Sequence, residues 1–228
     1  MVRGVQATAD QAFEPSEVRA IAGERLTFFV DAVIAIAITL LALDLPVPGG
    51  VTTNGDVLHF VNVHREEYLA FLISFAVVGA YWRGHHRVFR YLAALGGNLV
   101  RLTLVWLLMM VVMPFGTRVL TGDGAFQARF IFYALIQVIA ATMFILMVHD
   151  VRKYGLFRED TPPALLPDAT WRSTVLASGF FLSIPLSFVS QAAAYACWIA
   201  VPVVIRVILR TRRRRTQRRP GHSPASIP

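Results

Sequence analysis

The sequence predicts an all-α membrane protein with six transmembrane helices per chain. Of its 228 residues, 56% are hydrophobic and only 16% are charged, and the mean hydropathy is +0.56, well above that of a soluble domain. Several apolar stretches approach the roughly 20 residues that cross a bilayer. The six predicted spans cover residues 26–45, 66–82, 99–120, 126–149, 173–190 and 192–210.

The fifth and sixth spans are nearly continuous in sequence and together are too long for one ordinary transmembrane helix. We therefore expect a tight hairpin near Ser190 and Gln191. Pro185 and Pro202 are expected to kink these two helices, which a bundle tolerates because neighbouring helices satisfy the freed backbone groups.

The basic residues are distributed unevenly between the loops. If both termini lie inside the cell, the outer segments hold only Arg65, Arg118 and Arg129, and all the other Lys and Arg residues are inner. Cytoplasmic loops carry such an excess, so the pattern predicts an even number of spans with cytoplasmic N- and C-termini. The net charge of +8 follows from the same bias and does not by itself indicate a nucleic acid partner.

The chain divides into a polar N-terminal segment (1–23), a transmembrane domain (24–210) and a basic tail (211–228). The first segment lacks the order of basic, apolar and small residues that marks a secretory signal, so the first span is retained. The tail is typical of disorder at its Pro/Ser-rich end and is predicted to contact anionic lipid headgroups. Binding of nucleic acid is not predicted, because no aromatic side chains are interleaved to stack on bases.

Polar and ionisable side chains within the spans mark candidate functional positions, since each ionisable group costs several kcal/mol unless it is paired or hydrated. One group, Arg25, Thr27 and Asp31, lies on the first span. The second lies at the end of the second span and the start of the third, and comprises Arg83, His85, His86, Arg87, Asn98 and Arg101. We expect Asp31 to dock the first span with Arg, His or Trp82 as its partner, and His85 to be hydrogen-bonded in the same network. A proton or cation relay is the alternative.

Neither a metal site nor an enzyme site is predicted. His85 and His86 are adjacent and point about 100° apart on a helix, and no Cys or carboxylate cluster accompanies them. The sequence contains no phosphate-binding glycine loop and no spacing that suggests a Ser/His/Asp set. It also lacks a TVGYG segment, so a potassium filter of backbone carbonyls is not expected. No cofactor is predicted.

The first span carries a specific motif. Its sequence, RLTFFVDAVIAIAITLLALDL, resembles the R-x-x-x-F-S-D signature and the following Ala/Ile/Thr/Leu run of the transmembrane protein 175 family of endosomal and lysosomal potassium channels and their bacterial relatives. Arg25, Phe29 and Asp31 match the signature, whereas Val30 stands where the family has serine.

Two further segments extend the resemblance over about the first half of the chain. WRGHHRVF is similar to the family's W-x-x-H-x-x-x-F segment, with matches at Trp82, His85 and Phe89. Asn98 and the MPF of residues 113–115 are similar to its third helix. Beyond residue 120 only the hydropathy agrees.

The resemblance implies a potassium-permeable cation channel in the inner membrane of a prokaryotic cell. Bacterial members of this family carry one six-helix repeat and look like tetramers. The resemblance therefore implies a homotetramer, with the first helix of each chain lining a central pore. By motif register, the hydrophobic constriction falls on Ile36, Leu40 and Leu43, with Thr39 as a contributor to ion preference. The implied interhelical network comprises Arg25, Phe29, Asp31, Trp82, His85 and Asn98.

Helical geometry allows this pore assignment without selecting it. At about 100° per residue, the three constriction residues form one continuous stripe. An equally good stripe lies on the opposite side of the helix and consists of Ile34, Ile38, Leu41 and Leu45. Asp31 lies about 140° from Ile36 on the same wheel, which favours docking over ion coordination.

Two other functions are compatible with the sequence. A proton-coupled secondary transporter could use Asp31 and His85 as a relay, although the chain shows no inverted repeat with paired broken helices. A non-conducting membrane scaffold could recruit lipids or an acidic partner through its arginine-rich tail.

Overall fold

The computed structural model describes residues 15–50 and 53–198, together with 200, 201 and 203. Residues 191–198 are helical, and six further helices have defined bounds: α1 (Pro15–Leu43), α2 (Asn54–Val63), α3 (Arg65–Phe89), α4 (Leu99–Thr121), α5 (Phe126–Lys153) and α6 (Leu165–Leu186). The only β pairing in the described part is one isolated antiparallel bridge between Leu92 and Phe157. The predicted all-α class is confirmed.

Three of the described helices are long and apolar enough to cross a membrane. They cover Ile21–Leu43 in α1, Leu99–Thr121 in α4 and Phe126–Lys153 in α5. Each corresponds to one of the predicted spans. The predicted second span lies in α3, which carries charged residues near both of its ends.

α1 extends into the predicted polar N-terminal segment. The helix begins at Pro15, so residues 15–23 of the predicted polar segment continue α1. Proline suits this position because the first turn of a helix needs no backbone N–H donor.

A hairpin separates α6 from the last helical segment, as the sequence predicted. α6 ends at Leu186, and the chain is helical again from residue 191. Pro185 lies in the last turn of α6, where it helps to end the helix rather than kink the middle of a span. Pro202 lies outside the described residues, as does the tail at 211–228.

α2 is a short helix that the sequence analysis missed. Its start is fixed by a capping box, in which Asp56 N–H donates to the Thr53 hydroxyl at 3.2 Å and Thr53 N–H donates to Asp56 Oδ2 at 3.1 Å. The helix buries none of its residues. Local capping, rather than packing, therefore determines where it begins.

The core lies around α5, which packs between α4 and α6. Large side chains that are almost wholly buried fill this region: Trp106, Met110, Met113, Phe130, Tyr133 and Met147. Buried hydroxyls are paired across helices, since the Ser74 hydroxyl lies 2.8 Å from the Thr117 hydroxyl and 2.9 Å from the Tyr133 hydroxyl. These bonds join α3, α4 and α5 at the level of the apolar core, where unpaired polar groups are costly.

Two loops meet at the end of the bundle that holds the start of α4 and the ends of α3 and α5, which we call the basic end. Ala93 N–H donates to the Leu156 carbonyl at 2.9 Å, and Arg158 N–H donates to the Tyr91 carbonyl at 2.9 Å. Leu92 also lies beside Gly23 of α1. The loop after α3 therefore packs against α1 as well as against the loop after α5.

Candidate functional site

One face of α1 packs inside the subunit. Val30, Ile34, Ala37 and Leu41 are all almost wholly buried, with Ile34 and Leu41 only 2% and 3% exposed. Their spacing of four, three and four residues places them on one side of the helix, and α1 contacts α3 and α4. Val30, which stands where the resembled family has serine, is therefore an apolar core residue.

The other face of α1 is uncovered within the subunit. Ile36, Leu40 and Leu43 are 59%, 40% and 78% exposed. Two of the residues that formed the competing stripe, Ile34 and Leu41, are buried in the subunit's own core. The structure thus distinguishes two stripes that the helical wheel left equivalent. An exposed apolar stripe on this scale needs lipid or another chain against it.

Thr39 lies on the exposed side of α1 beside this stripe. Its hydroxyl donates to the Ile36 carbonyl at 2.8 Å, as threonine commonly does one turn along its own helix. Because the hydrogen is engaged, the hydroxyl oxygen presents lone pairs, which suit a cation.

Asp31 is fastened to α3 by a neutral donor. The indole Nε1–H of Trp82 donates to Asp31 Oδ1 at 2.9 Å. Trp82 was one of three predicted kinds of partner. Arg25 and Phe29 are both exposed, and Arg25 makes no ion pair among the described residues. The carboxylate is therefore held by a charge-assisted hydrogen bond rather than by a counter-ion.

His85 is placed differently from the prediction. Its ring is fully buried and stacks between Phe89, 3.7 Å away between ring centroids, and Trp106, 5.0 Å away. Neither ring nitrogen has a hydrogen-bond partner in the described part of the chain, so the predicted hydrogen bond is not formed there. The physical reason is orientation: His85 points at aromatic side chains, whereas Trp82 points at α1.

Asn98 joins a different contact from the one predicted. Its backbone N–H donates at 2.9 Å to Oδ2 of Asp150, a buried carboxylate near the end of α5. No hydrogen bond links Asn98 to Asp31 among the described residues. Asp150 thus caps the start of α4, where an acceptor satisfies a free N–H and complements the helix dipole.

Asp150 is the site residue that sequence reasoning missed. A sequence signal existed, because it is an acid in the last turn of an apolar helix, beside Arg152 and Lys153. Acids are unfavourable near a helix C-terminus, which indicates a specific partner elsewhere. Within the described residues, no group of three or more His, Cys, Asp or Glu could hold a metal ion.

The sequence and the structure of this chain are similar to those of known potassium channels. Residues 25–114 match the family model of the endosomal/lysosomal potassium channel TMEM175. This range contains the buried and uncovered stripes of α1, together with Trp82, His85 and Asn98. A potassium channel of Streptomyces collinus is 36% identical over 180 residues, covering 75% of this chain and 85% of that protein.

Further relatives of this chain are also potassium channels. A potassium channel of Chryseobacterium is 33% identical over 93 residues, covering 41% of this chain and 46% of that protein. A crystal structure of a lysosomal potassium-selective channel TMEM175 homolog from Chamaesiphon minutus is similar in fold, with a TM-score of 0.64 and 26% identity; it covers 83% of this chain and 98% of that chain. The chain therefore belongs to the TMEM175 potassium channel family, among its bacterial members.

Proposed function

We propose that this protein is a potassium-permeable cation channel in which α1 from four identical chains surrounds a central pore. Potassium is the ion named for the bacterial relatives. The observation that carries the proposal is the uncovered stripe of Ile36, Leu40 and Leu43 on α1, the helix that holds the family signature. Conduction of ions requires no cofactor and no catalysis.

The length of the stripe supports its proposed role as a hydrophobic constriction. Ile36 and Leu43 are separated by two helical turns, or about 10 Å along the axis. Four copies of the stripe would enclose an apolar segment that dewets when narrow, so that side chains rather than backbone carbonyls form the barrier. Thr39 supplies the nearby polar oxygen that could bias the choice of ion.

Adjacent leucines provide a matched experiment. Leu40 is 40% exposed and belongs to the proposed constriction, whereas Leu41 is 3% exposed and belongs to the core. In planar-bilayer recordings of purified protein, with potassium on one side and sodium on the other, we expect Leu40→Ala to raise the conductance. Leu41→Ala should leave the conductance of folded channels unchanged and cost about 2–5 kcal/mol of stability, because it opens a cavity.

The two variants make the pore assignment refutable. If Leu40→Ala leaves the conductance unchanged, or if Leu41→Ala changes it equally, the uncovered stripe does not line the pore. Ile36→Asn provides a second test, since a polar side chain in the constriction should favour hydration and raise the conductance. The reversal potential in the same recordings measures the preference for potassium over sodium.

We further propose a homotetramer in the inner (cell) membrane, with six spans per chain and both termini cytoplasmic. The long helices α1, α3, α4, α5 and α6, together with the helical segment from residue 191, support the span count, and the arginine-rich loops support a cytoplasmic basic end. Cysteines introduced as Asp123→Cys and Arg158→Cys test the orientation. A membrane-impermeant thiol reagent should label the first in intact cells and the second only after permeabilisation.

The two alternative functions lack comparable support. A relay through Asp31 and His85 would need a path between them, but Asp31 bonds to Trp82 and His85 stacks between Phe89 and Trp106. A scaffold that acts through its tail predicts no ion flux and loss of partner binding when residues 211–219 are removed. Those residues, and the predicted contact of the tail with anionic lipids, lie outside the described part of the chain.

A further inference from the structure

Three arginines form a line along one face of α3 and its C-cap residue, Arg90, at the basic end. Arg83, Arg87 and Arg90 are spaced four and three residues apart, which places them on the same side of the helix. All three are exposed. None makes an ion pair among the described residues, where the ion pairs are His64–Glu67, Arg118–Asp44 and Arg158–Asp160.

Such a line is unfavourable without an anion. Like charges three or four residues apart on a helix repel each other and destabilise it. No acid lies within ion-pairing distance of these three side chains in the described residues, so an anion that offsets the repulsion would come from outside the subunit. We call Arg83, Arg87 and Arg90 the arginine line.

The same face of α3 is apolar next to the arginine line. Leu69, Leu72, Ala76 and Ala80 are all exposed, and at about 100° per residue they lie within the same 80° arc as the three arginines. One helix face thus presents aliphatic side chains at membrane depth and guanidinium groups beyond them. This order matches the acyl chains and the phosphate of a phospholipid.

We propose that the arginine line binds the phosphate of an anionic phospholipid from the leaflet at the basic end. Guanidinium groups bind phosphate oxygens in pairs and are weakly hydrated, so they suit this ligand better than lysines do. The site is separate from the tail at 211–228, and it does not depend on ion conduction.

Charge argues against a second copy of this chain as the occupant. Parallel copies in one membrane hold their basic ends at the same level. A neighbour would therefore present further exposed arginines, such as Arg101, Arg152 and Arg172, against the arginine line. Repulsion between them disfavours that contact, whereas an anionic lipid neutralises it.

The arginine line is adjacent in sequence to two residues of α3, Trp82 and His86, that lead to α1. His86 lies between Arg83 and Arg87 in sequence, and its ring stacks on Trp82 at 5.5 Å between centroids. Trp82 in turn donates its hydrogen bond to Asp31 of α1. His86 Nδ1 is buried without a hydrogen-bond partner in the described residues. A lipid bound here therefore lies beside the contact that fastens α1 to α3.

Native mass spectrometry of the full-length protein in detergent tests the proposal. The protein is titrated with phosphatidylglycerol or, for comparison, with zwitterionic phosphatidylcholine. Each basic residue near an anionic headgroup contributes roughly fivefold in affinity. Combining Arg83→Gln, Arg87→Gln and Arg90→Gln should raise the dissociation constant for phosphatidylglycerol by at least about tenfold, with phosphatidylcholine binding unchanged.

A control variant removes the same charge elsewhere. Arg101→Gln, Arg152→Gln and Arg172→Gln together should leave phosphatidylglycerol binding close to that of the wild type. The single variant Arg87→Gln, with an expected loss of roughly fivefold, keeps the test valid if the triple variant fails to fold. Excess inorganic phosphate should not displace the lipid, because it lacks acyl chains.

Four results would overturn the proposal. Equal loss in both triple variants would indicate general surface charge, and no loss in either variant at the arginine line would exclude the site. Displacement by inorganic phosphate would indicate a free-anion site. A change in oligomeric mass caused by the arginine-line variants would assign this face to a neighbouring chain.

Discussion

Gly97 and Gly155 form a matched pair that tests how the basic end is held together. Both adopt a positive φ, +58° at Gly97 and +61° at Gly155. A Cβ at Gly97 would lie 2.6 Å from Asp150 Oδ2 and 2.7 Å from the Tyr154 ring, whereas nothing lies within 4 Å of a Cβ at Gly155. Alanine at the two positions therefore has the same backbone cost and a different steric cost.

The difference in destabilisation between Gly97→Ala and Gly155→Ala can be calculated from these contacts. A left-handed alanine costs about 1–2 kcal/mol at either position. At Gly97 the new methyl group also displaces the Asp150 carboxylate, which breaks its 2.9 Å bond from Asn98 N–H. A hydrogen bond to a charged acceptor contributes about 1.5–3 kcal/mol. Gly97→Ala should therefore destabilise the protein by about 1.5–3 kcal/mol more than Gly155→Ala.

Thermal unfolding of the detergent-solubilised protein, followed by tryptophan fluorescence, measures this difference. For a chain of this size, 1 kcal/mol corresponds to about 2–4 °C in Tm. We expect the Tm of Gly97→Ala to lie at least about 3 °C below that of Gly155→Ala. Equal melting temperatures would show that Asp150 can move without loss and that its capping of α4 does not stabilise the basic end.

Three further predictions concern side chains that join helices. In a double-mutant cycle, Trp82→Phe and Asp31→Ala should show a coupling of about 1 kcal/mol, because their hydrogen bond is partly exposed; additive effects would contradict the docking role of Asp31. Ser74→Ala removes the hydroxyl that joins Thr117 and Tyr133 in the core and should cost about 1–3 kcal/mol in thermal unfolding, and a neutral result would show that these bonds do not stabilise the core. Arg118→Gln should cost less than about 1 kcal/mol, since its ion pair is exposed, and a larger loss would reveal a further contact.

The sequence was sufficient to predict the long apolar helices and the hairpin near the end of the described chain. Span-length hydropathy identified α4 and α5, and the pair Ser190 and Gln191 located the hairpin. Which stripe of α1 is buried could not be predicted from the residues. Ile34 and Ile36 are equally apolar, and their environments differ only because α3 and α4 pack against one side.

The hydrogen-bond partners that join different helices of the bundle also could not be predicted from the sequence. Asp150 and Asn98 are 52 residues apart, so no local pattern pairs them. The two ring nitrogens of His85 can form hydrogen bonds, which is why the sequence predicted it in a hydrogen-bonded network. In the structure its ring instead stacks between the aromatic side chains of Phe89 and Trp106. α2 is the exception, because the Thr-Asn-Gly-Asp capping box at residues 53–56 is a local signal that could have predicted its start.

The contacts of α1 constrain how a gate on this helix can work. Near the basic end α1 is fastened by Asp31, and at its other end Asp44 pairs with Arg118 at 3.3 Å. Between them the stripe around Ile34 and Leu41 is buried against α3 and α4. Rotation of α1 about its axis would expose that stripe to lipid or water and break both polar contacts. The proposed constriction should therefore open by movement of whole subunits or by changes of side-chain rotamer, with α1 keeping its orientation in its own subunit.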